Sequence, residues 1–223
     1  MRFFFNSFRY SEDIDLDIGG IEVLRLQDLV MNILRDNDFK SSFKPFGIEE
    51  VIPPDIAKAK QTETTQRFKV HLIASGGEGL FTKIKCTRRG FDENKRVETV
   101  SEKILRAYKS APVLVPHYDS VITCRQKINA LAKRSIIQAR DIFDLYILIA
   151  QIDEKSLKKY VVSTENRYLE KAYENVFAIS FRQFRDSVLF YLSDEDQQMY
   201  DNEKIWDEVK LKVANLIERL SNG

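Results

Sequence analysis

Three aspartates near the start of the chain, Asp13, Asp15 and Asp17, alternate with Ile14, Leu16 and Ile18. Strict alternation is the signature of a strand, in which successive side chains point to opposite faces. On a strand the three carboxylates share one face, with successive ones roughly 7 Å apart. Like charges at that spacing repel unless a cation compensates them. Mg²⁺ (or Mn²⁺) suits such a pair, because it takes hard oxygen ligands and keeps waters and phosphates in its shell. A site of this kind can align a triphosphate and neutralise the charge of a departing pyrophosphate. A half-wet strand with an acidic outer face would show the same pattern.

A second group of ionisable residues follows more than 100 positions later. Lys127 and Arg134 are seven residues apart, two helical turns, and so can point the same way. Asp141 and Asp144 are neighbours on one face of the next helix. That helix is otherwise almost wholly apolar (Ile142, Phe143, Leu145, Tyr146, Ile147, Leu148, Ile149), so it should be buried and its carboxylates need partners. Lys127, Arg134 and Arg140 are the candidates. A salt-bridge network that docks two helices satisfies the same residues.

The two stretches together resemble the AbiEii/AbiGii toxins of the nucleotidyltransferase superfamily. Arg9-Tyr10-Ser11-Glu12-Asp13-Ile14-Asp15 is similar to that family's R-[FY]-S-x-D-[IL]-D motif. Lys127 to Arg134, followed by Arg140-Asp141-Ile142-Phe143-Asp144-Leu145, is similar to its K-x-x-A-L-x-x-R and R-D-x-[FY]-D-L signature. The resemblance implies that Asp13 and Asp15 bind the metal, with Ser11 beside them and Asp17 accessory. It further implies that Lys127 contacts nucleotide phosphate and that Asp141 is needed for activity. Arg9, Arg134, Arg140 and Asp144 would support nucleotide binding. The implied reaction moves a nucleotidyl group from an NTP to an RNA acceptor such as the 3′ end of tRNA. The implied setting is a toxin neutralised by an antitoxin.

The chain departs from the family pattern twice. The family's Gly-Gly-Ser/Thr turn, about ten residues before the acidic pair, is expected upstream of Met1, so the N-terminus reads as truncated. Gly19-Gly20 follows the acidic strand and is misplaced to substitute, and Ser75-Gly76-Gly77, a hairpin turn, is a weak candidate. The family's K-[IVL]-E-[IVL] strand compares with Lys83-Ile84-Lys85-Cys86, which puts Lys85 at the third carboxylate's position. A catalytically impaired relative that binds nucleotide or RNA is the alternative reading, and a structural partner acting through its helical half is a third.

The elements that would position these groups follow from the pattern. Strands are expected at Phe3 to Asn6 and Ile14 to Ile18, and a helix from Ile21 to Leu34. Phe43 to Ile56 holds three of the five prolines and reads as loop with one short strand at Ile48 to Ile52. Gln66 to Ala74 and Leu80 to Thr87 read as strands joined by Ser75-Gly76-Gly77-Glu78-Gly79, a hairpin signal. Arg88 to Lys95 reads as a charged turn. Helices are expected at Asp119 to Lys133, Ala139 to Ile152, Glu165 to Val176, Phe181 to Leu192 and Asp201 to Leu220, the last capped by Asp201. Strands first and helices later indicate an α+β fold: a small mixed nucleotidyltransferase-type sheet (1–117), then a helical C-terminal region (118–223).

Composition excludes several classes. The chain has 223 residues, 43% hydrophobic and 31% charged, and no apolar run approaches the ~20 residues of a membrane helix. Two cysteines, Cys86 and Cys124, and two histidines, His71 and His117, build neither a disulfide framework nor a zinc cluster. A reduced, cytoplasmic protein is expected. Net charge is +1, but Lys83 to Arg140 carries 14 Lys and Arg against 5 Asp and Glu, whereas Phe181 to Gly223 carries 6 against 9. A basic middle suits a polyanion such as RNA, and the same counts also describe charges scattered over a solvated surface.

Overall fold

The computed structural model describes residues 1–88, 95–161 and 166–221, with the side chains of 160 and 161 excepted. It divides into two compact units, one of residues 11–93 and one of residues 1–10 together with 94–223.

The smaller unit is an α/β sheet layer. Strand β1 (Asp13–Asp17) precedes helix α1 (Val23–Arg35) and the short helix α2 (Asn37–Ser41), and β2 (Ile48–Ile52), β3 (Thr65–Ala74) and β4 (Gly79–Thr87) follow. The sheet order is β1-β4-β3-β2, with β1 parallel to β4 and the other pairs antiparallel. The β3–β4 hairpin turns where the sequence predicts. Gly77, at φ +82°, supplies the left-handed residue, and its N–H donates to the Ala74 carbonyl at 2.8 Å. Gly47, at φ +78°, ends a 3₁₀ turn (Lys44–Phe46) and starts β2. One core holds the unit together: Leu26, Met31 and Leu34 of α1 pack with Val51, Phe68, Val70 and Cys86 of the sheet. All these sheet residues lie on one face. The register places Asp13, Asp15, Asp17, Lys83, Lys85, Arg67 and Lys69 on the other. Because β1 is an edge strand, Ile14 and Leu16 stay exposed although they lie on the apolar face.

The larger unit is mainly helical. It holds a two-stranded ribbon of β5 (Lys95–Thr99) and β6 (Leu114–Tyr118), with the short helix α3 (Glu102–Ala107) between them. Helices α4 (Ser120–Lys133), α5 (Ala139–Ile149), α6 (Glu154–Val161), α7 (Asn166–Phe177), α8 (Phe181–Ser187), α9 (Asp194–Tyr200) and α10 (Glu203–Ser221) follow. Helix α5 is buried nearly all round, as its apolar sequence predicts, and α4, α7 and α10 pack around it or its neighbours. Trp206 of α10 is stacked on Phe184 with ring centroids 4.3 Å apart. Asp119 caps α4 by accepting from the Ile122 N–H at 2.9 Å, and Ser180 with Gln183 forms a capping box at α8.

Several expectations are corrected. Phe3 to Asn6 forms a turn rather than a strand: the Phe5 N–H donates to the Met1 carbonyl at 2.9 Å, and Asn6 has φ +50°. The reason is tertiary, since Phe5 is buried in the helical core and Phe8 packs edge-on against Phe143. For the same reason the division does not fall at residue 117. The first ten residues and the β5–β6 ribbon belong with the helices, and β5 pairs with β6 rather than with the four-stranded sheet. The helix expected over 181–192 ends at Ser187, continues as a 3₁₀ turn (Leu189–Tyr191), and α9 follows. At α10 the capping side chain is Asn202, which accepts from the Lys204 N–H at 2.9 Å, while Asp201 pairs with Arg185. The charged turn expected over Arg88 to Lys95 lies largely outside the described residues, as does Glu165.

Candidate functional site

The acidic strand is built as its alternation requires. Asp13 and Asp15 project from the polar face of β1, with side chains 40% and 69% exposed. Ser11 donates to the Asp13 carbonyl at 3.2 Å, closing a local turn that sets where the strand begins. Thr82 of β4 donates to the Glu12 carbonyl and fixes the same end across the ladder. Asp17 accepts from the Thr87 hydroxyl at 2.5 Å, so it is engaged within the sheet.

The cation beside each of the other two carboxylates is a lysine of β4. The parallel register sets Asp13 against Lys83 and Asp15 against Lys85. The ammonium groups lie 3.2 Å from Asp13 Oδ2 and 3.1 Å from Asp15 Oδ1. The repulsion expected between neighbouring carboxylates is relieved by the chain itself. One oxygen of each carboxylate, Asp13 Oδ2 and Asp15 Oδ1, faces its lysine, and each carboxylate has a second oxygen. Among the described residues no group of three or more His, Cys, Asp or Glu could hold a metal. Asp13 and Asp15 could serve a hard divalent ion such as Mg²⁺ only where it brings phosphate and water ligands of its own. They do not form an all-protein cage.

In the larger unit the second group of residues closes into one network. Asp144 is fully buried and Asp141 is 1% exposed. Lys127 donates to Asp144 at 2.6 Å and to Asp141 at 3.0 Å. Arg134 donates to Asp141 and, at 3.0 Å, to the Gln138 amide oxygen. Arg9 completes the group, with its guanidinium 3.3 to 3.4 Å from Asp144. An ammonium has three donors, and two of those on Lys127 are spent on carboxylates.

Burial works against the charge on Lys127, yet Asp144 and Asp141 outweigh it and hold the ammonium above its usual range. Burial likewise raises Asp144, and Lys127 and Arg9 outweigh it and hold the carboxyl below its usual range. The Met1 amino group lies in the same field. Burial lowers its pKa, Asp144 opposes that, and Lys127 and Arg9 reinforce it.

The sequence placed Lys127, Arg134, Asp141 and Asp144 together, and the structure joins them. It places Asp13, Asp15 and Ser11 together on the sheet unit. Arg140 is exposed, and among the described residues no ion pair ties it to the network. Adjacent helical positions do not face each other, so Arg140 cannot share the side that Asp141 presents. Arg9 fills that place from 135 positions away, which no local signal announces. Lys83 was also missed as a partner of the acidic pair, because only strand register reveals it.

The family described as "Nucleotidyl transferase AbiEii toxin, Type IV TA system" matches the chain over residues 1–208. Among curated proteins there is no match. Solved structures share the fold, two of them as follows. JHP933 from Helicobacter pylori is 16% identical with a TM-score of 0.54, over 96% of this chain and 77% of that one. MenT4, a nucleotidyltransferase toxin from Mycobacterium tuberculosis H37Rv, is 13% identical with a TM-score of 0.52, over 97% of this chain and 78% of that one. No helix among the described residues is long and apolar enough to cross a membrane.

Proposed function

We propose, from the premise that this chain belongs to the AbiEii nucleotidyltransferase toxin family of type IV toxin–antitoxin systems, that it transfers a nucleotidyl group from an NTP to an RNA acceptor. The 3′ end of a tRNA is the acceptor this reading favours. The observation that carries it is the pair Asp13 and Asp15, both on the polar face of the sheet and both exposed enough to reach a ligand. They would hold Mg²⁺ (or Mn²⁺) together with the triphosphate, and the ion would supply neutralisation of phosphate charge. Lys127, with one donor beyond its two carboxylate bonds, is the proposed phosphate contact. Asp141 and Asp144 keep that ammonium charged and oriented, Arg134 and Arg9 balance the two carboxylates, and Ser11 sets the strand entry. A cytoplasmic location and a cognate antitoxin complete the reading.

Incorporation of labelled NTP into RNA by the wild-type chain, lost in Asp13→Ala, is the expected result. No incorporation with any NTP in Mg²⁺ or Mn²⁺ would overturn it. A second reading rests on Lys85, a cation beside Asp15 where the family resemblance expects a carboxylate. It makes the chain a nucleotide- or RNA-binding relative without turnover. Calorimetry showing NTP binding with no product would favour it.

A further inference from the structure

The acidic pair does not stand alone on its sheet face. It forms two rows with the next strands: Asp13, Lys83 and Lys69 in one, Asp15, Lys85 and Arg67 in the other. In each row the carboxylate and its neighbouring lysine are already an ion pair, at 3.2 and 3.1 Å. Lys69 is drawn away, with its ammonium 3.9 Å from the Phe81 ring centroid. The lysines of β4 are thus the charges that meet the carboxylates directly. A parallel ladder keeps each lysine beside its aspartate for as long as the sheet is intact.

We infer that Lys83 and Lys85 are resident counter-cations of Asp13 and Asp15, and that a divalent cation reaches the pair only by displacing them. Both lysines are partly exposed, 43% and 38%, so the pairs are weak and exchangeable rather than locked. A divalent ion at the carboxylates would also stand beside two ammonium groups, which repel it. An incoming polyphosphate removes both obstacles, because it supplies oxygens for the ion and an anionic partner for each displaced lysine. The inference rests on the proposed reading for the cation at Asp13 and Asp15 and for its polyphosphate ligand class. It makes the two lysines determinants of metal affinity, with cation binding weak until a phosphate ligand arrives.

The test uses Mn²⁺ alone, counted by the electron paramagnetic resonance signal of the free ion, on the full chain at fixed ionic strength. Each exposed pair can hold off the ion by a factor of up to about five, so Lys83→Met/Lys85→Met should bind Mn²⁺ about tenfold more tightly than wild type. Lys85→Glu, which adds a carboxylate in place of a cation, should bind more tightly still. Lys83→Arg/Lys85→Arg should remain as weak as wild type. Adding Asp13→Asn/Asp15→Asn to the methionine variant should abolish the gain. If the double variant does not fold by circular dichroism, Lys85→Met alone should show a gain of a few-fold. Equal Mn²⁺ affinity in wild type and the lysine variants, or a gain that survives loss of both aspartates, overturns the inference. Neither readout needs turnover, so a failed nucleotidyl-transfer assay leaves this result standing on its own.

Discussion

Asp144 has no exposed surface and accepts from two cations, Arg9 at 3.3 Å and Lys127 at 2.6 Å. Asp144→Asn keeps the shape of the side chain and removes its charge, leaving both cations with a neutral partner. Breaking a buried pair on one side costs about 3–5 kcal/mol. Arg9 is 9% exposed and Lys127 22%, and Lys127 keeps Asp141, so part of that cost is relieved and about 2–4 kcal/mol is expected. In a protein of this size that is a fall of roughly 5–15 °C in Tm. The assay can be confined to the helical unit, because the sole tryptophan, Trp206, is buried in its core. Urea unfolding followed by tryptophan fluorescence therefore reports this unit without interference from the sheet unit. Lys127→Met alone should also destabilise. The double variant should cost clearly less than the sum of the two, with a coupling of at least ~1 kcal/mol. A cost below ~1 kcal/mol for Asp144→Asn, or simple additivity, would refute the argument that this network holds α4, α5 and the N-terminal segment together.

Three further outcomes are expected. Asp13→Ala/Asp15→Ala should shift stability by well under 1 kcal/mol, because both pairs are exposed; a melting curve close to that of wild type checks this, and a large loss would show a structural role. Asp144 is held below its ordinary 3.8 and Lys127 above its ordinary 10.5, so the helical unit should hold its stability from near neutrality until pH falls below about 4, and again lose it above about 10.5. Trp206-monitored melting that is flat from pH 7 to pH 3 would contradict the acid limb. Gly47→Ala should cost the sheet unit about 1–2 kcal/mol. A Cβ there meets nothing nearer than Ser75 Oγ at 3.7 Å, so the whole cost is the left-handed backbone; a circular-dichroism melt matching wild type would remove the argument.

The sequence by itself determined the local elements whose signals are short-range. Alternation of Asp with Ile and Leu set β1, the Gly-Gly turn set the β3–β4 hairpin, and the density of apolar residues around Asp141 and Asp144 set α5 as a buried helix. Helical spacing brought Lys127, Arg134, Asp141 and Asp144 to facing surfaces, and burial obliged them to pair. The tertiary structure decided what depends on contacts between distant positions. Phe3 to Asn6 has strand-like residues, but the helical core buries Phe5 and the chain turns. Arg9 meets Asp144 only because that core gathers the first ten residues. The register of β1 on β4 alone gives each acidic side chain a lysine for a neighbour. A one-residue slip would have put Ile84 or Cys86 there. Dihedral preference and hydrophobic period are written in neighbouring residues, whereas register and long-range pairing are settled by how much apolar surface the whole unit can bury at once.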